Sequence, residues 1–144
     1  MDNETNQLNT VLTVLKKQRS QLLTDVIHYE KQIRSRIAGL QKIRNYQNEY
    51  DKSENYKISK SVPSLSNNLT SFNYKIKSLI VKEQIEIEKL IFSKSKRSSE
   101  IYMLDKKIEK ISEKIQTIKM NVVKNLEKIE QTQLDDLAVE MDES

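Results

Sequence analysis

Few residues in this 144-residue chain are of types that do covalent chemistry. The only histidine, His28, stands beside Tyr29 with no Cys or clustered carboxylate near it in sequence, which makes it a helix-surface residue and not a ligand or base. Glu86 with Glu88, and Asp135 with Asp136, have the composition of an acid and base pair. General acid–base work needs such groups to converge in a cleft, and charge runs on helices are solvated faces. Cysteine is absent, which excludes disulfides, thiolate nucleophiles and Cys-based zinc sites and suits a reducing compartment. A single glycine cannot build a phosphate-cradling loop, so Walker and Rossmann motifs are excluded too. The expectation is a non-catalytic protein with no cofactor and no metal.

One stretch mixes charge with rings. "KQIRSRIAGLQKIRNYQNEY", residues 31–50, interleaves basic residues with two tyrosines, the composition of a single-stranded nucleic-acid platform. Ile33, Leu40, Ile43 and Tyr50, however, fall on an apolar repeat that explains them without a ligand, and no nucleic-acid partner is expected.

The elements that must carry these residues follow from composition. The chain is 32% charged and 36% hydrophobic, too polar for a large buried core, and one Gly and one Pro leave almost no turn punctuation. Sandwiches, barrels and strand-rich α/β folds are excluded, and long helices remain. No window holds 18 consecutive apolar residues, and "MDNETNQL" carries acids where a signal peptide would carry bases, so the expected location is cytoplasmic. The net charge of +4 is a mixed surface and not a polycation. Locally the charge separates: Lys31 to Arg44 holds five basic residues and no acid, whereas "LDDLAVEMDES" holds five acids and no base. Different partners at the two ends are implied.

Leu8, Leu12, Leu15, Leu22, Val26, Tyr29, Ile33, Leu40, Ile43 and Tyr50 share an alternating three-and-four spacing, a heptad seam. Arg19, Arg36 and Gln47 interrupt it, with long stems that can lie along the interface while their heads reach water. The pattern fails in "DKSENYKISKSVPSLSNN" and resumes from Leu69 through Ile76, Ile80, Ile87, Leu90, Ile101, Leu104, Ile108, Ile111, Ile115, Ile118, Val122 and Ile129. Glu83, Lys94, Arg97 and Asn125 interrupt this second seam; "SKSKRSSE", its weakest stretch, is read as helical. Pro63 fits a helix's first turn, with Ser or Asn nearby as cap.

The expected fold is therefore all-α: a long antiparallel two-helix coiled coil, or helical hairpin, in one domain over 1–144. Helix 1 covers about 4–54, the bend about 55–66, helix 2 about 67–139, and an acidic tail 140–144. With the turn centred near Lys60, the first residues meet helix 2 near residue 118, leaving about 20 residues, on the order of 30 Å, as a C-terminal overhang. The overhang still carries Val122, Val123, Leu126, Ile129, Leu134 and Leu137, a stripe for docking or oligomerisation unless it simply frays. Near the bend, Ile43, Tyr46 and Tyr50 line one strip and Phe72, Ile76 and Leu79 another. Side by side they have the composition of a protein-binding hot spot, or of extra packing at the hairpin end.

Three stretches resemble the FliJ family of flagellar export proteins, helical hairpins of about this length. "YQNEY" (Tyr46, Gln47, Asn48, Glu49, Tyr50) is similar to a motif late in the family's first helix. "NLTSFNYKIKSLI" offers Asn68, Phe72, Ile76 and Leu79 near the start of the second, and "EQTQLDDLA" supplies Glu130, Gln131, Leu134, Asp135, Asp136, Leu137 and Ala138 towards its end. Gly39 and Glu83 depart from the family's pattern, standing where a polar residue and a His can occur. The resemblance implies a general chaperone and adaptor of the flagellar type III export apparatus, peripheral at the cytoplasmic face of the cell membrane. It implies as partners the hexameric export ATPase FliI, the export gate protein FlhA and the export substrate chaperones, with Ile43, Tyr46, Tyr50, Phe72, Ile76 and Leu79 on the exposed binding surface. The nearest alternative is the equivalent stalk of a virulence-type secretion system; a self-associating coiled-coil scaffold is another.

Overall fold

The structure is a computed structural model that describes the backbone of residues 2–58 and 63–143 and the side chains of residues 3–52 and 70–142. Two helices account for all of it: α1, Asp2–Ile58, and α2, Pro63–Glu143. They pack against each other as an all-α helical hairpin.

Both helices run further than the apolar repeat does. α1 continues to Ile58, past the last seam residue Tyr50 and the expected end near residue 54, because extending an existing helix costs little once its nucleus is formed and no Gly or Pro intervenes. α2 starts at Pro63 itself, the position where a fixed φ and a missing N–H fit a first turn. Residues 55–58 and 63–66 of the expected bend are thus helical, and residues 64–68 lie within α2. Lys60, the expected centre of the turn, lies outside the described residues. At the far end Glu140 to Glu143, expected as a tail, belong to α2.

The contacts divide the chain into two compact units. One is Leu22–Glu100. Here Val26, Ile33, Leu40, Ile76 and Ile87 are buried, and Ile33, Leu40 and Ile87 form a core against which Ile80 and Leu90 pack. Each such side chain contributes about 1.5–3 kcal/mol on leaving water. The polar interruptions of the two seams meet each other: Arg36 donates from Nη1 to the Glu83 carboxylate at 3.2 and 3.3 Å, and Gln47 Nε2 donates to Asn73 Oδ1 at 3.5 Å. Lys94 reaches Glu30 at 3.3 Å, and Arg97 lies 4.0 Å from Asp25. As α1 advances from Asp25 to Gln47, its partner on α2 retreats from Arg97 to Asn73, which defines an antiparallel register. The exposed ion pairs are worth about 0–1 kcal/mol each; their effect is to select this register over one slipped by a heptad. "SKSKRSSE" is helical throughout, with Lys94 and Arg97 turned across to α1.

The other unit comprises Met1–Gln21 and Ile101–Ser144. Leu8, Leu12 and Leu15 are half-buried, as are Ile101, Leu104, Ile108, Ile111, Ile118 and Val122, and Ile115 is buried. Arg19 bonds Asp105, and Glu4 lies 4.0 Å from Lys114, again antiparallel. The apolar seam positions are therefore covered as far as Val122. Beyond it every described residue, Ile129 included, is exposed.

Two flanks border the seam. Tyr46 and Phe72, which each precede a polar seam residue, touch on one flank. Residues that follow a seam position in the same way, such as Glu30 after Tyr29, lie on the other.

Candidate protein-binding surfaces

The residues with chemical potential do not converge. His28 is exposed and shares a 3.2 Å hydrogen bond with Gln32, one turn along the same helix. Glu86 pairs with Lys89 at 3.4 Å, Glu88 is exposed, and Asp135 accepts a 3.1 Å bond from Gln131. Arg97 is held above its already high ordinary range, first by its hydrogen bond to Glu100 and then by the Glu100 charge. Among the described residues no three His, Asp or Glu side chains cluster as metal ligands, and no helix is long and apolar enough to cross a membrane.

Near the start of α2 three rings come together. The Phe72 ring lies 4.8 Å from Tyr50 in a tilted arrangement and 6.5 Å from Tyr46 edge-on, both within the range where aromatic pairs add about 0.5–1.5 kcal/mol. The six residues of the two strips divide by depth. Ile76 is buried, and Ile43 and Tyr50 are half-buried, so these three serve the hairpin. Tyr46, Phe72 and Leu79 are open, at 56%, 38% and 44% exposure. Phe72 and Leu79 stand two turns apart on one face of α2, which makes the open part a narrow apolar strip supported from below by Tyr50 and Ile76.

Gly39 lies on the same flank as Tyr46, one heptad earlier on α1. It is half-buried, and a Cβ built on it would meet no atom within 4 Å, so the strip has a notch there.

The second surface is α2 beyond Val122. Val123, Leu126, Ile129, Leu134, Leu137 and Met141 are 53–70% exposed. Val123, Leu126, Leu134, Leu137 and Met141 follow a three-and-four spacing with Glu130 in the gap, so the overhang keeps an apolar strip of its own. The seam line running on from Val122 becomes mixed instead, Asn125, Thr132 and Asp136 alternating with the exposed Ile129 and Val139. The overhang strip is thus rotated from the hairpin seam and is not a simple continuation of it.

What sequence reasoning missed is the pairing of polar seam residues. Arg36 and Glu83, and Gln47 and Asn73, sit at nearly equal distances from the bend, and that mirror placement was the available signal. No family model, no curated protein and no solved structure matches the chain.

Proposed function

We propose that the chain is a non-catalytic component of the flagellar type III protein export apparatus. In this reading it is a general chaperone and adaptor that binds the hexameric export ATPase, promotes its assembly and activity, and contacts the export gate and the substrate chaperones. Its place is the cytoplasmic face of the cell membrane, held peripherally through the apparatus.

The observation that carries the reading is the overhang. Leu126, Ile129, Leu134 and Leu137 form apolar surface that α1 does not cover, in and beside the stretch whose motif resembles the FliJ family. A helix presenting such a strip is suited to insertion between other helices, as in a ring. The open Tyr46, Phe72 and Leu79 supply a separate contact, rigidly backed and rich in aromatic area, suited to the gate. The test is co-purification with the export ATPase and measurement of ATP hydrolysis with and without this chain. Binding with a raised rate is expected; no binding and no stimulation would overturn the reading.

A further inference from the structure

The flank of the Leu22–Glu100 unit away from the aromatic strip carries a surface of a different kind. On α1, Leu23, Ile27, Glu30, Arg34, Ile37, Gln41 and Arg44 follow a three-and-four spacing parallel to the seam. On α2, Lys77, Val81, Gln84, Glu88 and Ile91 do the same. The apolar members, Leu23, Ile27, Ile37, Val81 and Ile91, are each 41–53% exposed. The antiparallel register fixed by Arg36 and Glu83 sets Ile27 near the level of Ile91 and Ile37 near that of Val81, two apolar steps along one face.

Charge gives the face a direction. Arg44 and Lys77 stand three residues before Gln47 and four after Asn73, so the Gln47–Asn73 bond places two cations at one level. Elsewhere in this unit the cross-helix charges are matched, Asp25 with Arg97, Glu30 with Lys94, Arg36 with Glu83. Among the described residues Arg34, Arg44 and Lys77 have no carboxylate partner, and like charges facing each other across two helices repel. The carboxylates on this flank are Glu30, already paired, Glu88, near the level of Arg34 but with no ion pair to it, and Asp51, one heptad beyond Arg44.

The overhang has the complementary chemistry. Its strip repeats the two apolar steps, Leu126 and Leu137 being eleven residues apart where Ile27 and Ile37 are ten. Asp136 and Glu140 border it at the far end, where α2 has no basic residue in its last turn to offset its C-terminal dipole. We propose that the overhang of one copy docks on this flank of a second copy. It lies parallel to α1, with Leu126 at the Ile27–Ile91 level and Leu137 at the Ile37–Val81 level, which brings Asp136 near the level of Arg34 and Glu140 about one turn short of Arg44 and Lys77. Apolar steps set the register, and the acid-to-base match sets the direction. The association does not depend on the export reading. Resting on that reading is one consequence: an overhang held by a second copy is withheld from the ATPase.

The test is sedimentation equilibrium of the full chain from low to high micromolar concentration, with helicity followed by circular dichroism. The wild type is expected to self-associate, more weakly as salt rises. The double variant Arg44→Glu with Lys77→Glu, and separately Asp136→Lys with Glu140→Lys, should each weaken association by about tenfold or more. All four changes in one chain should restore it. Ile37→Asp, at an exposed position, should remove association and leave helicity unchanged. A wild type that stays monomeric throughout would overturn the proposal and leave the face to some other partner. Association that ignores both charge reversals, or that is lost with Tyr46→Ala and Phe72→Ala instead, would also overturn it. Because ATP hydrolysis by the export ATPase is measured separately, either reading can fail alone.

Discussion

Depth within the hairpin separates residues that hold the fold from residues free to bind. Ile87 belongs to the core with Ile33 and Leu40, whereas Tyr46 keeps 56% of its surface open. Ile87→Ala should therefore destabilise by about 2–4 kcal/mol. Tyr46→Ala, which loses mainly an edge contact with Phe72, should cost about 1 kcal/mol or less. Urea denaturation monitored at helical wavelengths compares the two; equal losses would mean that Tyr46 is core. Gly39 makes the opposite case. Its φ is not positive and an added Cβ meets nothing, so Gly39→Ala should stabilise by about 0.5–1 kcal/mol through helix propensity, read as a higher midpoint in the same titration. A loss of stability would show that the notch is filled.

For the helices, the seam from Leu8 to Val122 was legible because three-and-four spacing reports burial directly. The helix ends were not. Propagation carries α1 to Ile58 past the last seam residue and α2 to Glu143 past the last covered one, and nothing in periodicity records where an exposed helix stops. The aromatic strip was half legible: spacing brought Tyr46, Tyr50 and Phe72 together and put Ile76 on the seam, whereas the resemblance placed Ile43, Tyr50 and Ile76 on the exposed surface, where packing leaves them half-buried or buried. The last turns of α2 are the weak point of that helix, with acids where its dipole favours cations. Exchanging Glu140 and Asp142 for Lys should raise helicity over the last turns, by about 0.3–1 kcal/mol for each removed repulsion. Carbon chemical shifts of residues 134–142 measure it directly, and unchanged shifts would contradict the dipole argument.

Among the described residues α2 carries an open apolar strip built on aromatic rings near its start and another left uncovered by α1 towards its end. The export reading assigns them to different partners, so damage to one should spare the other. Tyr46→Ala with Phe72→Ala should weaken binding to the export gate, and truncation after Lys119 should abolish activation of the ATPase, each with the rest of the hairpin still helical. The measurement that tests the account most directly is the hydrolysis rate of the hexameric export ATPase with the intact chain and with Leu126→Asp combined with Leu137→Asp. The account predicts stimulation by the intact chain and none by the variant, at equal helicity outside the overhang. An ATPase indifferent to the intact chain, or stimulated equally by both, would contradict it.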